Sequence, residues 1–136
     1  MKKLLPMLFF AAGLFSCKKI IQQTEENEIV HIMTSGVWFV QTYNQNDTSI
    51  TGIFTGYTFQ FYANGTVSAI KGGETQATGT WVGNISNPSI NSNFPGAGDP
   101  LDKLNSIWSI INTTDTSVYA NSTIGPNSEV LTLYKQ

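Results

Sequence analysis

Arginine is absent from the 136 residues, and histidine and cysteine occur once each, as His31 and Cys17. A surface that binds nucleic acid needs a stripe of basic side chains for the phosphates, and the seven lysines form none. One histidine and one cysteine do not assemble a Ser/His/Asp triad or a His/Cys metal cluster. We therefore predict a protein that is not an enzyme, has no cofactor or metal, and does not bind nucleic acid.

Long hydrophobic runs are also missing. The apolar stretch from Leu4 to Phe15 is about a dozen residues long, whereas a membrane-spanning helix needs roughly 20. Lys2 and Lys3 precede the stretch and Ser16 follows it, which is the layout of a secretory signal peptide. We expect residues 1–16 to be this signal.

The signal ends in Leu14-Phe15-Ser16-Cys17. This segment resembles a bacterial lipobox, and LFSCKK resembles the starts of lipoproteins from Bacteroidota. The resemblance implies that the Cys17 thiol is alkylated by diacylglycerol and that the new amino terminus is acylated, an anchor of two or more chains. The alternative is an unpaired cysteine within an ordinary signal peptide.

The expected mature protein begins at Cys17 and carries five lysines and nine acids, a net charge of −4. Residues 17–28 are predominantly polar and lack aromatic side chains, so we interpret them as a tether between lipid and domain. We expect the protein in the bacterial cell envelope, lipid-anchored at the outer membrane, and leave open which face it occupies.

A short helix and eight strands are predicted after the tether. Ile29, Ile32 and Met33 share one helical face over residues 28–34, and Gly36 is placed to end the helix. The apolar period then changes to two, and Ala63-Asn64-Gly65 and Gly72-Gly73 supply positive-φ residues for tight turns. The strands are expected near residues 37–43, 56–62, 66–71, 77–83, 89–94, 106–112, 117–121 and 129–134.

One stretch, from Asn87 to Ser106, interrupts the strand pattern. Asp99 is suited to cap a helical turn over about residues 100–104, with Pro100 at its first position and Asp102 near its positive end. A calcium loop is the alternative, but the oxygen ligands of an EF-hand pattern are missing. The acids of this domain all lie in or near predicted turns, and no spacing indicates a glycosidase pair; they are Asp47, Glu74, Asp99, Asp102, Asp115 and Glu129.

The short helix followed by Gly36-Val37-Trp38 resembles the G-x-W signature of lipocalins. With the strand count and Gly79-Thr80-Trp81, residues 29–136 resemble the small lipocalin-like domains of lipoproteins. The resemblance implies an all-β fold, an eight-stranded antiparallel up-and-down barrel in which Trp38 closes one end and Lys135 packs on its ring. The second and third lipocalin motifs are absent. A β-sandwich is the alternative fold.

An eight-stranded barrel encloses a packed core or one small ligand. The expected inward side chains are Trp38, Val40, Tyr57, Phe59, Phe61, Trp81, Trp108 and Leu131. We leave two functions open. One is an interior site for an apolar or amphiphilic molecule, lined by Tyr57, Phe59, Trp81 and Trp108, with a hydroxyl of Tyr57 or Tyr43 near its mouth. The other is an outer surface that binds an envelope protein, as a hydrolase inhibitor or an accessory subunit of a surface complex.

Overall fold

The computed structural model describes residues 28–123 and 125–136. The predictions on the signal peptide, on Cys17 and on the tether up to residue 27 lie outside the described residues. Within the described ranges, no helix has the length and apolar character needed to cross a membrane.

The secondary structure follows the predicted order. Residues 28–34 form a helix, α1, and two 3-10 turns cover Thr51–Phe54 and Leu101–Leu104. The strands are β1 (Val37–Gln45), β2 (Thr48–Ser49), β3 (Tyr57–Phe61), β4 (Thr66–Lys71), β5 (Glu74–Asn84), β6 (Ser89–Asn93), β7 (Ser106–Thr113), β8 (Ser117–Ser122) and β9 (Glu129–Lys135).

The sheet closes into a barrel. All its neighbouring strands run antiparallel, and β1 also pairs with β9 from Trp38↔Lys135 to Gln45↔Glu129. This pairing leaves an eight-stranded up-and-down barrel of β1 and β3 to β9, with the two-residue β2 attached to β1. The predicted barrel is therefore confirmed, and the alternative of a two-sheet sandwich is wrong.

The structure differs from the sequence interpretation at one turn and at one strand. Gly72 and Gly73 have the expected positive φ, but of Ala63, Asn64 and Gly65 only Gly65 does, at 87°. The sequence interpretation also missed β2. Asn46 and Asp47 adopt φ of 51° and 65°, in the left-handed region that is uncommon for residues other than glycine. They form the tight turn of the hairpin between β1 and β2.

Helix α1 covers the barrel end at which β1 begins, which we call the helix end. Ile29, Ile32 and Met33 are buried there, as the helical period predicted. Gly83, near the end of β5, lies so close to α1 that a Cβ atom on it would stand 2.8 Å from Ile29 Cγ2. Consecutive strands alternate in direction, so β1, β4, β6 and β8 begin at the helix end and β3, β5, β7 and β9 finish there.

The opposite end, which we call the far end, is covered by the connection between β6 and β7, residues 94–105. Phe94, Leu101 and Leu104 of this connection are buried in the core. The predicted capping by Asp99 is wrong, because Pro100 occupies the N-cap position and makes no side-chain cap hydrogen bond. Asp99 instead forms an ion pair with Lys103, at 3.3 Å.

Seven of the eight side chains predicted to point inward are buried, and Tyr57 is the exception. It lies where β1 and β3 separate, since these strands pair only through Val37↔Gln60 and Trp38↔Phe59. The Tyr57 ring is half-buried and has the ammonium nitrogen of Lys71 5.0 Å from its centroid.

Candidate functional site

An apolar cavity of about 40 Å³ lies inside the barrel. Its lining comes from six strands and from the far-end connection, and Ser92 is the single polar member; the others are Phe59, Phe61, Val67, Ile90, Phe94, Leu104, Trp108, Val118, Ala120, Leu131 and Leu133. Ser92 Oγ donates a hydrogen bond to the Leu104 carbonyl, so its one polar group is already satisfied. The cavity offers apolar contact and no charge.

The volume decides what the cavity can hold. A water molecule needs a cavity of about 10–15 Å³, whereas pockets for drug-sized ligands have volumes of about 300–1,000 Å³. A cavity of about 40 Å³ is a small void within a packed core. It has no room for a molecule the size of a fatty acid unless lining side chains move.

The four residues proposed from the sequence for an interior site divide into two pairs. Phe59 and Trp108 line the cavity, whereas Tyr57 and Trp81 are not among its lining residues. Trp81 is buried nearer the helix end, with its ring edge-on to Phe61 at 5.3 Å. Tyr43, suggested as a hydroxyl near a mouth, is fully buried.

Each tryptophan indole N–H donates to a backbone carbonyl outside the regular barrel strands. The acceptors are Met33 O for Trp38 (3.0 Å), Tyr62 O for Trp81 (2.9 Å) and Leu104 O for Trp108 (3.0 Å). A buried indole needs such a partner to offset its lost hydration. The three bonds attach α1, the β3–β4 turn and the far-end connection to the barrel.

At the helix end, Lys135 packs on Trp38 as the lipocalin resemblance implied. Lys135 Nζ lies 5.2 Å from the Trp38 ring centroid and donates to Ser35 Oγ at 2.8 Å. Gly36 lies against the lysine stem, since a Cβ atom there would stand 2.8 Å from Lys135 Cδ. Together, Trp38, Lys135, Ser35 and Gly36 close this end of the barrel.

A polar pair that the sequence interpretation missed lies toward the far end. The buried Tyr43 hydroxyl hydrogen-bonds Glu129 Oε2 and lies 3.1 Å from the Lys103 carbonyl oxygen. Burial, and then the hydrogen bond to Glu129, raise the pKa of Tyr43 well above its usual value. The two residues are 86 positions apart in the chain, so no local pattern indicated the contact.

The remaining candidate residues for catalysis lie apart from the cavity. His31 is exposed on α1, and the described residues hold no group of three or more His, Cys, Asp or Glu side chains arranged to bind a metal ion. The pKa of Asp99 is lowered by a hydrogen bond that it shares with Asp102 and by one that it accepts from Lys103. Asp99 and Asp102 are exposed and Lys103 is half-buried, so the cluster lies at a solvated edge of the far-end connection.

The outer face carries an aromatic row that the sequence interpretation did not identify. Tyr134 of β9 packs edge-on against Phe39 of β1 and Tyr119 of β8, each at 6.3 Å between ring centroids. The hydroxyls of Tyr119 and Tyr134 are 3.2 Å apart, and this hydrogen bond raises the pKa of Tyr134. The alternation of inward and outward positions along β1 and β9 could have indicated that Phe39 and Tyr134 point outward.

Neither a protein-family model nor a curated protein matches the chain. Among solved structures, the chain is similar to a DUF4847 family protein from Bacteroides vulgatus, with a TM-score of 0.57 and 16% identity. The superposition covers 79% of this chain and 99% of the other. At that identity the comparison shows a shared fold.

Proposed function

We propose that this protein is a lipid-anchored protein of the bacterial cell envelope whose barrel binds another envelope protein on its outer surface and catalyses no reaction. The anchor rests on the lipobox-like Leu14-Phe15-Ser16-Cys17 and on the polar residues 17–28 between it and the barrel. Two or more acyl chains give stable attachment, because each buried methylene contributes about 0.8 kcal/mol.

The observation that carries the choice of the outer surface is the filled interior. A cavity of about 40 Å³ leaves no space for a lipid-sized ligand, and both ends of the barrel are covered by buried side chains. The residues that remain available to a partner are outside. A binding module such as a hydrolase inhibitor or an accessory subunit fits this arrangement.

Absence of catalysis is part of the same proposal. Acid–base catalysis needs a positioned titratable group within hydrogen-bond reach of a bound substrate. His31 is exposed on α1. The carboxylate of Glu129 accepts a hydrogen bond from the buried Tyr43 hydroxyl and is therefore already engaged within the protein. Reproducible turnover by the purified protein that disappears in Glu129→Gln would contradict this part.

A second candidate function is the binding of a small apolar molecule inside the barrel, and the composition of the cavity favours it. Eleven of its twelve lining residues are apolar, and Phe94 and Leu104 belong to a connection rather than to a strand. Movement of that connection would enlarge the cavity without breaking the closed sheet.

Two experiments test these proposals. Cys17→Ala should leave an uncleaved precursor that does not incorporate clickable palmitate in cells, while the control His31→Ala labels like the wild type. Palmitate labelling and normal maturation of Cys17→Ala would disprove the anchor.

The second experiment titrates a protein of residues 18–136 with palmitate. Its tryptophan emission should show no saturable change. A saturable change that is weaker in Ala120→Val would show that the ligand binds inside the barrel and would contradict the proposal of binding on the outer surface.

A further inference from the structure

We infer that the helix end of the barrel, with the outward side chains next to it, rests on the lipid surface to which the protein is anchored. The inference rests on the proposed anchor at Cys17. It adds an orientation and a second, weaker contact with the bilayer, made by the folded domain itself.

Chain geometry supplies the first argument. The anchor residue lies eleven positions before Glu28, where α1 is first described, and eleven residues reach at most about 40 Å even when fully extended. Because α1 packs on the barrel end at which β1 begins, the chain from the lipid arrives at the helix end. This end is therefore the part of the domain held nearest to the membrane.

The exposed apolar side chains supply the second argument. Among the large hydrophobic residues that the structure describes, the two most exposed, Val82 at 64% and Ile111 at 63%, lie close to this end. Val82 precedes Gly83, which touches Ile29, and Ile111 follows Ile110, which lines a small void against α1. Tyr62, 39% exposed, directly follows β3 at the same end.

The aromatic row lies in the same half of the barrel. Tyr134 precedes Lys135, which packs on Trp38, and Phe39 follows Trp38 in β1. Tyrosine favours a membrane–water interface, where its ring contacts acyl chains and its hydroxyl contacts headgroups. Aliphatic side chains beside it can enter the boundary between headgroups and acyl chains. The outward surface near the helix end thus has the composition of an interfacial contact.

The distribution of charge supplies the third argument. The described residues contain seven acids, and five of them lie at the far end: Asp47, Glu74, Asp99, Asp102 and Glu129. Lys71 and Lys103 also lie at the far end, so its net charge is −3. Glu28, Asp115 and Lys135 give the helix end a net charge of −1. A lipid surface with anionic headgroups repels the far end more strongly, which favours the same orientation.

The test uses the mature acylated protein reconstituted in vesicles of phosphatidylethanolamine and phosphatidylglycerol. Since the lipid blocks the Cys17 thiol, a nitroxide label attaches only to an introduced cysteine. Val82→Cys and Ile111→Cys report the helix end. Ile107→Cys and Val130→Cys are matched controls, because these exposed aliphatic residues lie farther from α1 along β7 and β9.

Labels at 82 and 111 should collide more with dissolved oxygen and several-fold less with a water-soluble nickel chelate than labels at 107 and 130. Four labels that respond alike, on protein that sediments with the vesicles, would overturn the orientation and leave the anchor intact. Water-exposed labels at 82 and 111 would leave this surface free for a protein and equally overturn it. Protein that fails to sediment overturns both the anchor and this inference.

Discussion

The ammonium nitrogen of Lys135 lies 5.2 Å from the centroid of the Trp38 ring, and so joins the last strand of the barrel to the first. The same two residues are paired in the β1–β9 register that closes the sheet. Trp38 also donates to Met33 O in α1, and Lys135 donates to Ser35 Oγ just after it, so two hydrogen bonds hold the helix and the residue that follows it to the closure point. A cation over a tryptophan face contributes about 0.5–2 kcal/mol.

Trp38→Ala should lower the free energy of unfolding by about 3–5 kcal/mol, because truncating a buried aromatic side chain leaves a cavity and here also removes the bond to α1. Urea denaturation followed by circular dichroism measures the loss. Val82→Ala, at a position 64% exposed, is the control and should change stability by less than about 0.5 kcal/mol. A similarly small effect of Trp38→Ala would show that this residue does not hold the barrel closed.

Gly79→Ala should destabilise the domain by at least 1 kcal/mol, on the order of an overpacked core site. A Cβ atom at this position would stand 2.3 Å from the backbone oxygen of Asn93 and 2.9 Å from Phe94 Cδ1, so the β5–β6 pair must move apart. Gly98→Ala is the matched control, since a Cβ there meets nothing within 4 Å. Equal melting temperatures for the two variants would contradict the close β5–β6 approach.

Ala120→Val should be neutral or stabilising by up to about 1 kcal/mol, because its added methyl groups face the cavity of about 40 Å³. Ala69→Val should instead cost about 1–3 kcal/mol, since Ala69 is fully buried and is not among the cavity-lining residues. Thermal unfolding of the two variants compares them directly. A loss for Ala120→Val as large as that for Ala69→Val would mean that the cavity is already filled.

Stability should fall as pH rises above about 10, the ordinary pKa of tyrosine. Burial and the hydrogen bond to Glu129 raise the pKa of Tyr43 in the folded protein, so the folded state keeps a proton that the unfolded state releases. The stability linked to this proton is complete below pH 10 and declines above it, by up to about 1.4 kcal/mol per pH unit.

Tyr43→Phe should flatten this alkaline decline in urea unfolding free energies measured from pH 8 to pH 11. Its baseline stability should also drop by about 1–3 kcal/mol, because Glu129 loses its buried hydrogen-bond donor. Tyr62→Phe, at an exposed position, is the control and should retain the wild-type pH profile. An unchanged slope in Tyr43→Phe would show that Tyr43 is not the group responsible.

Local sequence patterns determined most of the secondary structure. The alternation of Tyr57, Phe59 and Phe61 with polar residues predicted β3, and the spacing of Ile29, Ile32 and Met33 predicted the buried face of α1. These signals depend on residues within a few positions of each other, where the periods of strand and helix act directly. The hairpin β1–β2 escaped prediction because β2 has two residues and no apolar alternation.

Only the tertiary structure decided between a barrel and a sandwich, since that depends on the pairing of β1 with β9, about ninety residues apart. It also decided how much space the interior contains. Phe94 and Leu104 lie in a connection that the sequence marks as irregular, yet both line the cavity. The contact between Tyr43 and Glu129 joins two strands that each look ordinary alone. Composition indicates which side chains are apolar, but the volume that they leave unfilled follows from how all of them pack in three dimensions.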